Sequence, residues 1–214
     1  MSYNAFIDSK IARVTNLGSI SNIPEGALSS CSNLISIILP SICTELGKSA
    51  IANNDLLETV NVESLVTIGP KNFGFCPLMP SLMYFPNVTT FKDQTYYDDG
   101  YIGSTAVRYL YLPKLIAGRK GYDNGGNNLA GMFCQGGWSS QAAPKNIVYL
   151  RDITSLYTGA FCGSAIKNLV VNNSTPPTIT LNPDKQITTT FTNSTQSRSN
   201  ITYVYVPDAA VSAY

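Results

Sequence analysis

The sequence predicts a repeat solenoid, a stack of coils made of short strands and turns with no long helix. Three observations lead there. The stretches "NAFIDSKIARV" (4–14), "GYIGSTAVRYLYLP" (100–113) and "GAFCGSAIKNLVV" (159–171) share one skeleton. A small residue followed by a large apolar one recurs at Ala5-Phe6, Ala27-Leu28, Ala50-Ile51 and Asn72-Phe73, in steps of 22, 23 and 22 residues, and again at Tyr101-Ile102, Met132-Phe133 and Ala160-Phe161. Between these pairs, apolar residues fall at every third position. One such unit cannot bury its own apolar side, and stacked units bury it against each other.

The elements follow in order within each unit. A short strand ends in apolar alternation: Leu34-x-x-Ile37-x-Leu39-Pro40, Leu57-x-x-Val60-x-Val62, Val107-x-x-Leu110-x-Leu112-Pro113 and Ile166-x-x-Leu169-x-Val171. The three-residue spacing marks the next wall, with one side chain inward per turn: Leu17, Ile20, Ile23; Val62, Leu65, Ile68; Phe85, Val88, Phe91; Leu150, Ile153, Leu156. Leu39, Ile42 and Leu46 read as a version with one extra residue, and Leu112 and Leu115 as a truncated one. The period of 22–23 residues is that of a leucine-rich repeat, so the prediction is a leucine-rich-repeat solenoid of the α/β class with about seven rungs. The array spans residues 1–171, and residues 172–214 form a capping segment with a last strand and a short helix started by Asp208 after Pro207.

The spacing breaks in three places, near 92–101, 119–132 and 134–146. Insertions in solenoids map to loops, often on the binding face. The first holds "KDQTYYDDGY", the second "RKGYDNGGNN" and the third "CQGGWSSQ" with the single tryptophan. Aromatic rings mixed with amides, carboxylates and hydroxyls have the makeup of a recognition surface. Tyr96, Tyr97, Asp98, Tyr101, Tyr122, Asn124 and Trp138 are the expected ligand contacts; packing of these aromatics onto the array is the competing expectation.

Composition excludes whole classes of chemistry. The chain has 214 residues and no histidine, which removes Ser-His-Asp and Cys-His nucleophile pairs and histidine metal sites. Lys and Arg total 14 against 13 Asp and Glu, so no basic excess points to nucleic acid. No apolar run reaches the ~18 residues of a membrane span. The first residues, "MSYNAFIDSK", lack the features of a secretory signal, which leaves a chain needing no signal or a fragment of a longer protein. "GKS" at 47–49 lacks the phosphate-loop glycine, since Ile42 stands in its place. Asp98-Asp99-Gly100 lacks calcium-loop ligand spacing, and nothing sets two of Asp93, Asp98, Asp99 and Asp123 at a working separation for sugar hydrolysis. No cofactor, metal or catalytic residue is expected. Cys31 and Cys76 lie two rungs apart, roughly 10 Å between backbones at about 4.8 Å per rung, too far to bridge. Cys134 and Cys162 each follow a Phe in adjacent rungs at a spacing that permits a disulfide, with small buried thiols as the alternative.

The units "ALSSCSNLISIILP" (27–40) and "NFGFCPLMPSLMYFP" (72–86) resemble the A-F-x-x-C-x-x-L-x-x-I-x-L-P unit of BspA-like leucine-rich repeats, and 159–171 resembles that family's shortened form. "STPPTI" (174–179) with "TYVYVPDAAVSAY" (202–214) is similar to the segment that closes such arrays. The resemblance implies a noncatalytic bacterial or phage-associated surface, adhesion or recognition module. Its partner would be a glycan or a surface protein, at a cell surface or on a virion, with neither nucleic acid nor membrane insertion. The alternative is a structural scaffold or spacer of a phage particle or multidomain surface protein with no ligand of its own. The first rung begins by residue 5 without a cap, so its open end is expected to be covered by another domain, copy or assembly.

Overall fold

A computed structural model describes residues 1–92, 100–104, 106–118, 122–123, 129–130, 132–133, 143–157, 159–161, 164–181 and 200–213. Each coil has two strand walls joined by a wall of turns. The first four coils contribute β1 (Arg13–Val14) and β2 (Asn22–Ile23), β3 (Ser36–Ile37) and β4 (Glu45–Leu46), β5 (Thr59–Val60) and β6 (Thr67–Ile68), then β7 (Leu82–Tyr84) and β8 (Thr90–Phe91). A fifth gives β9 (Tyr109–Leu112) and β10 (Ala117–Gly118). The second insertion adds β11 (Tyr122–Asp123) and β12 (Leu129–Ala130), which pair antiparallel. The array ends with β13 (Ala143–Leu150), β14 (Ser155–Tyr157), β15 (Ser164–Val171) and β16 (Thr178–Thr180). β17 (Asn200–Tyr205) and a 3-10 helix at Asp208–Ala213 close it, and the amide of Ala210 donates to the Pro207 carbonyl.

Parallel pairing fixes the register. On one wall Arg13 sits beside Ser36 and Ser36 beside Thr59. A separate five-stranded parallel sheet has the order β17-β15-β13-β9-β7. On the other wall Ile23, Leu46, Ile68 and Phe91 lie in successive register across β2, β4, β6 and β8. The turns stack the same way: Phe6 donates its amide to the Ala27 carbonyl, Leu28 to Ala50, and Met132 to Ala160. The small-large pairs read from the sequence therefore pile in one column. Leu28, Ile51, Phe73, Ile102, Phe133 and Phe161 are all buried; Phe6, on the first coil, is 41% exposed. Burying each such side chain contributes about 1.5–3 kcal/mol. The N-terminal core is aliphatic, whereas the C-terminal core is aromatic, with Phe73 edge-on to Phe85 and Phe133 against both Phe91 and Phe161.

The coil corners are set by backbone geometry. One corner has positive φ at Asn4, Gly26, Ser49, Lys71 and Gly159, and a second at Asp8, Ser30, Asn53 and Phe75. Gly needs no Cβ clearance in this region, and Asn, Asp and Ser tolerate it, so most coils place those types there. Buried asparagines complete the corners. Asn54 accepts from the Cys31 amide and donates to the carbonyls of Leu28 and Ile51. Asn72 accepts from the Ile51 amide and donates to those of Gly47 and Gly69. Each reaches back one coil, satisfying backbone groups that neither wall pairs.

One expected position differs. The spacing puts Ile42 inward between Leu39 and Leu46, yet it is 48% exposed while Cys43 is fully buried. The extra residue is taken up in the turn closed by the Cys43 amide on the Pro40 carbonyl. This advances the inward position by one, so Cys43 joins the column that holds Leu65 and Val88.

Successive coils approach closely at Gly47 and Gly69. A Cβ on Gly69 would stand 2.6 Å from the Gly47 carbonyl carbon, a backbone atom that cannot swing aside. Gly69→Ala is expected to cost about 2 kcal/mol, measured as a lower urea midpoint; an unchanged midpoint would show that the coils are not stacked this tightly.

Candidate functional site

The insertions hold most of the expected contacts. Tyr96, Tyr97, Asp98, Asn124, Trp138, Cys134 and Cys162 lie outside the described residues. Tyr122 is on β11, with its backbone paired to Ala130. Tyr101 does not face a ligand: it is fully buried and stacked on Phe91, with ring centroids 4.4 Å apart and planes 6° apart. Its hydroxyl donates to the Lys92 carbonyl. Tyr101 therefore pins the two ends of the first insertion together, and its ring belongs to the aromatic core because the chain re-enters the turn column there. Lys92 in turn pairs with Glu45 two coils away.

A second surface emerges from the five-stranded sheet. Its inward residues are Met83, Leu110, Val148 and Leu169, all buried, so the alternate residues point out. Two outward columns result. One runs Leu82, Tyr109, Ile147, Asn168, Tyr203, and the other Tyr84, Tyr111, Tyr149, Val170, Tyr205. Six of these ten positions are tyrosine and none is Asp, Glu, Lys or Arg. Tyr84, Tyr203 and Tyr205 are at least half exposed, and Tyr109, Tyr111 and Tyr149 retain partial exposure. Tyr111 and Tyr149, on adjacent strands, have centroids 5.7 Å apart and planes tilted by 31°. The Asn172 amide donates to the Tyr149 hydroxyl at 3.1 Å, which orients that ring. Where β13 ends, exposed Arg151 forks onto Asp152; these hydrogen bonds hold the Asp152 carboxyl below the usual carboxylate range.

The sequence carried a signal for this face. "YLYL" at 109–112, "IVYL" at 147–150 and "TYVY" at 202–205 place tyrosine at every second position or opposite a core residue. Period-two alternation assigns those rings to the outside once the inward residues are known. The third insertion leads directly into β13, so Trp138 precedes this sheet by a few residues.

Reactive chemistry is sparse. Cys31, Cys43 and Cys76 are free buried thiols, and Asn54 occupies the coil between Cys31 and Cys76. Burial raises the Cys43 thiol and pushes Cys76 up to about 12. Lys145 is also buried, its ammonium donating to the Ser104 carbonyl at 2.8 Å. Among the described residues no three Cys, Asp or Glu side chains group as a metal site, and no helix is long and apolar enough to cross a membrane.

The Cys76 shift has a defined sign. An unfolded thiol ionises near 9 and the folded one near 12, so between those values the unfolded chain has lost a proton that the folded chain keeps. Stability falls as pH rises through that window. Urea midpoints taken on both sides of pH 9 should drop for the wild type and drop less for Cys76→Ala; equal slopes would contradict the burial.

Comparison with known protein families matches residues 1–106 to the BspA type leucine rich repeat region, in six copies. No curated protein matches the chain.

Proposed function

Residues 1–106 belong to the BspA-type leucine-rich repeat family, and on that premise we propose that this chain is a noncatalytic recognition or adhesion module at a cell surface or on a virion. Its ligand is a glycan or a surface protein, met by the insertions of repeats four and five. Tyr96, Tyr97, Asp98, Tyr122, Asn124 and Trp138 make the contacts, and the buried Tyr101 closes the first insertion. The observation that carries this reading is the pinned base of the first insertion. The Tyr101 hydroxyl on the Lys92 carbonyl ties the two ends of that insertion together, and tied ends lower the ordering cost of binding through a loop. Aromatic anchors supply most of the binding free energy and the polar groups set orientation.

A second reading has its own support. The first coil exposes Tyr3 (64%), Phe6 and Ile7, an apolar surface of the kind that a scaffold component buries against a neighbour. In that reading the chain is a structural spacer of a particle or multidomain surface protein and the insertions are inert.

Glycan and protein arrays probed with wild type and Trp138→Ala separate the two. The recognition reading expects a specific signal that falls about tenfold or more in the variant, as for an anchor residue. No signal from either protein would favour the spacer, and equal signals would remove Trp138 from the contact.

A further inference from the structure

The tyrosine-bearing outer face of the five-stranded sheet lies outside the insertions, and nothing in the repeat core requires it. An outward position on a sheet is satisfied by Thr, Ser or Arg, as at Arg13, Ser36 and Thr59 in the three-stranded sheet of the first coils. The five-stranded sheet has a different character: Tyr84, Tyr111 and Tyr149 stand on three neighbouring strands in one column, with Tyr109 beside them and Tyr203 and Tyr205 on β17. We propose that this face binds a neutral polysaccharide chain lying across the strands, its sugar units set against the column of Tyr84, Tyr111 and Tyr149. This goes beyond the recognition reading, which places its contacts in the insertions, and is carried by the sheet face alone.

Three features of the face select that occupant. None of its ten outward positions is charged, and Arg151 at the margin of the Tyr84 and Tyr149 column is neutralised by Asp152, so the face suits an uncharged partner. It repeats: parallel strands stand about 4.8 Å apart, close to the length of one sugar unit in an extended chain, and the Tyr111 and Tyr149 centroids are 5.7 Å apart. A polymer with a repeating unit meets a repeating surface in register, whereas a folded protein partner has no such period. Each ring also offers both groups that a sugar needs, a flat apolar face for the C–H face of a pyranose and a hydroxyl for its rim. The Asn172 bond to the Tyr149 hydroxyl limits the rotation of that ring before any ligand arrives, which reduces the ordering cost of binding.

The test is retention of the purified chain by neutral polysaccharides, using cellulose, chitin, starch, mannan and β-1,3-glucan as probes. Wild type is compared with Tyr111→Ala/Tyr149→Ala, Tyr111→Phe/Tyr149→Phe, Tyr84→Ala and Trp138→Ala. Tyr84 is 55% exposed, so its truncation keeps the test valid if the double alanine variant fails to fold. The proposal expects at least one polymer to retain the wild type. Affinity should fall about tenfold in the double alanine variant and severalfold in Tyr84→Ala, and stay within about threefold in the double phenylalanine variant, which keeps the rings. Retention by none of the polymers overturns it, as does undiminished binding by both alanine variants. If the tyrosine variants bind as wild type while Trp138→Ala does not, the recognition reading stands and the face is not its site. If the alanine variants lose a protein ligand instead, the face is a protein interface and the polysaccharide assignment fails.

Discussion

Each coil of this protein depends on its neighbour for two things at once: a place to bury its apolar side chains and partners for backbone groups its own turns leave open. Strand pairing answers the second need on two walls. At the turn corners, where no strand forms, the side chains of Asn54 and Asn72 answer it by reaching back one coil. An unpaired buried amide or carbonyl costs about 1–3 kcal/mol, so these asparagines hold the coil spacing as firmly as the leucines beside them. The close approach of Gly47 and Gly69 is possible for the same reason, since the walls are already held at hydrogen-bonding distance.

That frame explains where variation is tolerated. The insertions fall between β8 and β9 and between β10 and β13, and the register resumes after each: Leu82 still faces Tyr109, and Tyr109 faces Ile147. Loop length therefore changes without disturbing the columns, because closing a longer loop adds little entropy cost. The outer face of the five-stranded sheet is equally free to vary, since nothing in the core touches it. Its concentration of tyrosine is thus a property of the surface and not of the fold.

The repeat was legible because inward positions must be apolar and must recur. Leu28, Ile51, Phe73 and Phe161 fall where the spacing put them, and β3, β5, β9 and β15 lie in the four stretches of apolar alternation. Ile42 was misplaced because the larger apolar residue looked like the better core candidate, and a turn of four residues in place of three cannot be seen in spacing alone; Cys43 took the site. Tyr101 reads in sequence as a loop aromatic because it closes an insertion, yet re-entry into the turn column buries it. The tyrosine columns went unread for the opposite reason: in "YLYL" both residues are apolar enough for a core, and only the pairing partners decide which of them faces out.

The account stands or falls on coils locked in register through their corners. Amide hydrogen exchange followed by NMR addresses this most directly at Cys31 and Ile51, whose amides donate to asparagine side chains of the following coil and to no strand. The account predicts that both exchange as slowly as the strand amides of Ile37 and Leu46. Exchange at open-chain rates, with the strands still protected, would contradict it.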